Sequence, residues 1–235
     1  MSLDLALADS VRQGASGPVL RFYDWQRPTV SLGYNQKAGE VDLEYCRLHG
    51  IDVVRRPTGG RAVFHNAEFT YSVIAPEDEP LLSGGVLEAY RSIGRALLEG
   101  LRVLGISAQM QRSETRGQSV RGSALCFAAA GRYEITVQGR KLLGSAQRRM
   151  EGVILQQGSL LLSQPQTPEM FRNKNDQASA VTVRELTGRQ PDFEQAARAM
   201  EQGFRTAWGV DIQSSEVRPE EEKAAGDKIP AVKIT

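Results

Sequence analysis

Tyr133-Glu134-Ile135-Thr136-Val137-Gln138-Gly139-Arg140-Lys141-Leu142-Leu143 is the stretch that decides the fold. Tyr133, Ile135 and Val137 alternate with Glu134, Thr136 and Gln138, the two-residue period of a half-buried strand. Gly139-Arg140 then turns the chain back into Lys141-Leu142-Leu143, which predicts a β-hairpin and therefore antiparallel pairing. Further on, Val153 to Leu155 and Ser159 to Leu162 read as an extended pair, or as one strand bulged at Gly158.

Upstream, Val86 to Leu104 is the clearest helix. Val86, Ala89, Tyr90, Ile93, Ala96, Leu97 and Leu101 fall on one face at 3.6-residue spacing, and Gly105 supplies the stop. Ahead of it lie strands at Val19 to Tyr23, Thr29 to Leu32, Ile51 to Arg55 and Glu68 to Ile74. Short helices are predicted at Leu3 to Val11 and at Val41 to His49, the latter ended by Gly50. Gln111 to Ser123 reads as a polar loop. Thr182 to Leu186 and Phe193 to Ala207 read as helices, with Asp192 and Gln195 spaced as a capping box. Strands, one long helix, more strands and then helices give an α+β fold with a mixed, largely antiparallel sheet and packed helices. Nothing demands a second core, so residues 1–235 read as a single domain. The tail after Trp208 carries Glu220-Glu221-Glu222 and reads as solvated, and beyond about residue 212 as mobile.

The charge balance narrows the function. Lys and Arg total 29 against 28 Asp and Glu, a formal charge of +1, so a basic site must be local. This balance argues against nucleic-acid and membrane-surface partners. No stretch approaches the roughly 20 apolar residues of a membrane span, and the start lacks a signal-peptide pattern. Two cysteines do not make a disulfide framework, and the expectation is a cytoplasmic protein with both thiols free.

Three features carry candidate chemistry. Arg55-Arg56-Pro57-Thr58-Gly59-Gly60-Arg61-Ala62-Val63-Phe64-His65 sets arginines around a paired-glycine turn. Gly59 and Gly60 let a ligand approach the backbone, while the arginines offer charge-assisted hydrogen bonds; the other reading is a hairpin turn with solvated arginines. Lys141, just after a turn, is placed to polarise an acyl carbonyl or steady an oxyanion, or else is an exposed structural lysine. Cys126, at a loop–strand junction, is either a nucleophile or a buried core thiol; Cys46, inside a helix, fits the core role. Two histidines show no zinc-like spacing with the cysteines, and no metal site is expected.

Four ordered blocks resemble the biotin/lipoate protein ligase superfamily, in its lipoate-ligase-like branch. They are Leu20 to Trp25 with Pro28 to Gln36, Arg55 to His65, Gly139 to Arg149 (GRKLLGSAQRR), and Val153 to Leu162. The resemblance implies a lysine, Lys141, that contacts the acyl carbonyl. It also implies an acyl-binding site that includes Arg56, Gly59, Gly60, Arg61, His65, Gly144, Ser145 and Ala146. Members attach lipoyl or octanoyl groups to a lysine of carrier domains, either through an acyl-adenylate made with ATP and Mg²⁺ or through an enzyme thioester. Cys126-Phe127 stands where the cysteine octanoyltransferases of this branch place their nucleophile. Gly-Gly-Arg replaces three glycines, and the chain leaves no room for the accessory domain of many bacterial ligases.

The implied activity is octanoyl transfer in lipoate biosynthesis through Cys126, with no cofactor. The donor would be octanoyl-acyl carrier protein. The acceptors would be lipoyl-domain proteins, namely the glycine cleavage H protein or a 2-oxoacid dehydrogenase E2. Arg148 and Arg149 are candidates for docking these carriers. The alternatives are an ATP-dependent lipoate ligase, an amidotransferase between lipoyl carriers, and a non-catalytic acyl- or carrier-binding protein. His65-Asn66 and Gln156-Gln157-Gly158 depart from the branch's usual pattern, which leaves the roles of His65 and Gln157 open.

Overall fold

The computed structural model describes residues 1–111, 134–163, 170–171 and 180–234. Among these, β1 (Val19–Tyr23), β2 (Thr29–Leu32), β3 (Asp52–Arg55), β4 (Val63–His65), β5 (Glu68–Pro76), β6 (Gln109–Met110), β7 (Ile135–Val137), β8 (Arg140–Met150) and β9 (Val153–Leu161) form two sheets. The larger runs β1-β5-β9-β8-β7-β6 and is antiparallel throughout. The smaller runs β3-β2-β4, with β3 parallel and β4 antiparallel to β2. The helices are α1 (Ser2–Arg12), α2 (Leu43–Leu48), α3 (Val86–Val103), α4 (Val183–Thr187), α5 (Phe193–Trp208) and α6 (Pro219–Val232). This is the mixed, largely antiparallel α+β architecture that the hairpin and the element order predict.

The large sheet is covered on both faces, and alternation along β5 shows how. Phe69, Tyr71, Val73 and Ala75 join the apolar core built with Ala89, Ile93 and Leu97 of α3 and Met200 and Phe204 of α5. The two helices meet at small residues. A Cβ on Gly203 would fall 2.3 Å from the Gly100 nitrogen and 2.4 Å from the Ala96 carbonyl oxygen. The intervening β5 residues Glu68, Thr70 and Ser72 are buried too, so a polar row faces the opposite side. There α1 packs Leu7, Ala8 and Val11 against Ile74, Val153 and Leu155. The small sheet has its own core of Val30, Leu32, Val53 and Phe64 with Cys46, Met170 and Phe171.

The hairpin turn sits one residue earlier than its sequence suggests. Gln138 and Gly139 both have positive φ, at 51° and 77°, and Arg140 already belongs to β8. Two positive φ values at the turn centre match the right-handed twist of the flanking strands. Strand β9 is continuous over nine residues, with no bulge at Gly158; the register irregularity falls instead between Ile135 and Thr136. The Asp192–Gln195 capping box is formed in full. Arg112 to Ser123 of the polar loop, and Tyr133, lie outside the described residues.

Part of the segment beyond Trp208 requires a correction, because residues 219–232 fold into α6 rather than a solvated tail. Pro219 starts the helix, Arg218 and Glu221 close its first turn, and the helix packs along α1. Arg218 also donates to Ser10 and to the Ala15 carbonyl, and Lys228 pairs with Asp9 at 2.6 Å. The glutamate run hides this role, since Glu221 is buried while Glu220 and Glu222 are exposed. The Arg218 hydrogen bond holds the Glu221 carboxyl down at about 2, from an ordinary value near 4.5. A depressed carboxyl stabilises the fold above its unfolded value and loses that contribution as pH falls through the folded one. Glu221→Gln is therefore expected to lower the Tm at neutral pH. The gap to the parent should close as pH drops from about 4.5 toward 2.

Candidate active site

The polar row of β5 continues onto the neighbouring strand, where Gln157 and Ser159 of β9 are also buried. The small sheet and the turn between β3 and β4 lie over this face and leave a cavity of about 370 Å³. Its walls take Ser31 from β2, Arg56 with Thr58, Gly59 and Gly60 from the turn, and Val63 and His65 from β4. Thr70, Gly144, Ser145, Ala146, Gln157 and Ser159 come from the large sheet. Of the sequence candidates, Arg56, Gly59, Gly60, His65, Gly144, Ser145 and Ala146 thus converge on one space.

The arginines of the turn hold backbone. Arg56 is buried and donates to the carbonyl oxygens of Ser31 at 2.9 Å, Gly59 at 2.7 Å and Arg61 at 2.7 Å. Arg55 Nη1 donates to the carbonyls of Gly33 and Gln36 at 2.9 and 2.6 Å. These charge-assisted bonds tie the turn's carbonyls, and that of Ser31 in β2, to the two arginines. Gly60 has a φ of 95°, open to glycine. Arg61 enters through its carbonyl, and its side chain is outside the cavity wall. Arg148 stacks on Tyr34 at 3.9 Å and donates to the Pro57 carbonyl at 3.0 Å, while Arg149 lies 3.6 Å from Glu77.

The turn is pressed against the end of β2. A Cβ on Gly33 would stand 1.9 Å from the Gly60 carbonyl oxygen, backbone against backbone. Gly33→Ala is expected to push the turn off its seat and cost about 1–3 kcal/mol. The loss should appear as a Tm below the parent's.

Lys141 is the second residue of β8 and 1% exposed, far from the exposed lysine a strand-end position allows. Its ammonium forms an ion pair with Glu134, which is itself buried and lines the cavity. The cation therefore stands directly behind the cavity wall, held by a carboxylate.

His65 and Gln157, whose roles the sequence leaves open, sit in a second set of polar groups whose other members escaped the sequence reading. His65 bonds Glu68 through Nδ1 and Ser31 Oγ through Nε2 at 2.6 Å, and Trp25 stacks on its ring at 4.1 Å. Gln157 accepts from Thr58 at 3.0 Å and donates at 2.7 Å to Asp4, a fully buried carboxylate also bonded by Arg21, Tyr23 and Ser72. Gln157 thus ties the glycine turn to α1 and β9. One signal was available. Glu68, Thr70 and Ser72 recur every second residue in a strand whose other residues are apolar, and a buried polar stripe needs a reason.

Gly158 completes the wall, with Tyr71 packed behind it. A Cβ on Gly158 would lie 2.2 Å from the Tyr71 ring, so glycine lets that ring cross β9. The Tyr71 hydroxyl accepts from Gln156 at 3.0 Å and meets Ser145 Oγ at 2.7 Å. Burial pushes the Tyr71 phenol up to about 12.

The lipoyl protein ligase A/B catalytic domain matches residues 1–205 of this chain, a span that holds every site residue above. The chain belongs to that family. The resemblance carried by the four sequence blocks is borne out. Among individual relatives, octanoyltransferase LipM of Geobacillus kaustophilus is 41% identical over 94% of this chain and 86% of its own length. LipM of Symbiobacterium thermophilum is 40% identical over 98% and 89%. Among solved structures, lipoate-protein ligase A bound with ATP superposes with a TM-score of 0.74 at 23% identity, covering 97% of this chain and 89% of that one. The bipartite lipoate protein ligase of Thermoplasma acidophilum gives 0.73 at 23%, covering 97% and 87%. At these identities the two structures speak for the fold alone.

Within this family member, Cys126 lies outside the described residues. Cys46, the other thiol, is fully buried and 3.4 Å from Met170 Sδ. Burial, with the Asp42 carboxylate adding to it, pushes the Cys46 thiol up to about 11, so it is inert as a nucleophile at neutral pH. Among the described residues no helix is long and apolar enough to cross a membrane.

Proposed function

We infer that the chain is an octanoyltransferase of lipoate biosynthesis that works through an enzyme thioester. The observation that carries this reading is the 40–41% identity to octanoyltransferases over more than nine-tenths of the chain. The cavity supports it. At about 370 Å³ it lies at the small end of ligand pockets, suited to a medium acyl chain. Each buried methylene adds about 0.8 kcal/mol, so the chain length itself supplies several kcal/mol of binding.

Cys126 thiolate attacks the thioester of octanoyl-acyl carrier protein, a C–S bond forms as another breaks, and the carrier thiol leaves. The ε-amine of a lipoyl-domain lysine, in a glycine cleavage H protein or a 2-oxoacid dehydrogenase E2, then attacks the octanoyl-Cys126 carbonyl. The first exchange is nearly balanced and amide formation is downhill, so no ATP is required. In this reading Lys141, held behind the wall by Glu134, turns its ammonium toward the cavity and steadies the oxyanion of each tetrahedral intermediate.

The test offers the purified protein octanoyl-acyl carrier protein in one arm and octanoate with Mg·ATP in the other, each with a lipoyl domain. Octanoylation in the first arm, with a hydroxylamine-labile adduct on the enzyme, is the expected outcome. Modification confined to the ATP arm would overturn the thioester route.

A further inference from the structure

A protein lysine reaches the site as an ammonium at neutral pH, and only the amine attacks a thioester. Something must take that proton, and the buried groups around His65 are arranged to do so. Their hydrogen-bond directions can be read in sequence. Trp25 Nε1 donates to Thr70 Oγ1 at 3.0 Å, which leaves the Thr70 hydroxyl to donate to Glu68 at 2.8 Å. Ser159 donates to the other Glu68 oxygen. Glu68 is thereby an acceptor on both oxygens, so the imidazole presents Nδ1–H to it and keeps Nε2 as an acceptor. Arg56 Nη1 donates to Ser31 Oγ at 3.2 Å, which turns the Ser31 hydroxyl proton toward His65 Nε2, 2.6 Å away. Hydroxyl, imidazole and carboxylate stand in line, with Ser31 and His65 on the cavity wall and Glu68 behind them.

We propose that Ser31, His65 and Glu68 form the proton acceptor for the attacking lysine of the carrier domain. The ammonium gives a proton to Ser31 Oγ as the Ser31 proton passes to His65 Nε2, and Glu68 faces the resulting imidazolium. Arg56, the charged group on the Ser31 side, disfavours a second cation there and so favours the amine. The amine adds to the acyl carbonyl, forming the C–N bond. The C–S bond then breaks, and the second nitrogen proton neutralises the departing thiolate. The first proton leaves His65 for solvent as the amide departs. This rests on the reading of the acceptor as a protein lysine, whichever donor supplies the acyl group.

Single-turnover octanoyl transfer to a lipoyl domain, followed by intact mass between about pH 6 and about pH 10, tests it. The parent is expected to level off near neutral pH. His65→Gln and Ser31→Ala should fall about 10²-fold or more at neutral pH, and then climb roughly tenfold per pH unit toward the lysine's own pKa near 10.4. Acylation of the enzyme itself, which uses no lysine ammonium, should not acquire this climb with pH in either variant. Ser31→Ala keeps the imidazole–carboxylate pair and reads the role even where His65→Gln fails to fold. Equal losses at every pH, or loss of enzyme acylation in step, would make the array a structural support and overturn the proposal. An adduct that survives Cys126→Ala and disappears in Ser31→Ala would make Ser31 a nucleophile, which overturns it as well. If the parent never self-acylates, the Cys126 reading has failed. The same pH comparison with preformed octanoyl-adenylate as donor then decides the proton acceptor, since the lysine still has to lose its proton.

Discussion

Lys141→Met is expected to fail twice, in stability and in chemistry. The ammonium is buried against the Glu134 carboxylate, and removing one partner of a buried pair costs about 3–5 kcal/mol. A loss of that size can mimic a catalytic defect. The double variant Lys141→Met with Glu134→Gln removes both charges together, and should recover most of the Tm. If Lys141 steadies the oxyanion, acyl transfer in the recovered double variant stays down by about 10²–10³-fold. Activity returning with the melting temperature would reduce Lys141 to a structural cation.

Cys126→Ala is expected to abolish enzyme acylation and to lower transfer from octanoyl-acyl carrier protein by about 10³-fold or more, the scale on which loss of a covalent nucleophile is felt. Cys46 supplies the control. Its thiol is buried and pushed up to about 11, so neutral-pH alkylation of the folded protein should add a single label, and octanoyl-acyl carrier protein should block it. Transfer from octanoyl-acyl carrier protein that survives Cys126→Ala would remove the thioester from the mechanism.

Much of the framework was legible because it rests on local periodicity. Val19–Tyr23 and Thr29–Leu32 match their strands to the residue, and Val86–Val103 falls within one residue of the predicted helix. What escaped depends on contacts between distant segments. α6 looked solvated because Glu221 is held by Arg218, which also reaches Ser10 of α1, and no window of sequence brings Ser10 near them. The paired arginines looked like ligand cations because sequence cannot show that the carbonyls of Gly33, Gln36, Gly59 and Arg61 occupy them. Lys141 taken alone left an exposed structural role open, because its partner Glu134 is seven residues away, across a hairpin. Within the site the glycine turn, His65 and Gly144 to Ala146 were found through motif blocks. Ser31 and Glu68 were missed because each reads as an ordinary strand residue until β2, β4 and β5 are folded together.

The β8–β9 hairpin sets a limit on how this site can vary. Its register pairs Gly144 with Ser159, Ser145 with Gly158 and Ala146 with Gln157, and it turns at Glu151-Gly152, where φ is 49° and 84°. Substitutions there change one contact at a time. Inserting or deleting a single residue between Ala146 and Gln157 would slide one strand past the other and send every side chain beyond it to the opposite face. Gln157 would then point into the α3–α5 core, and Tyr71 would meet a side chain where Gly158 now admits it. Length changes in this hairpin should therefore be far less tolerated than point changes, whatever residue is added.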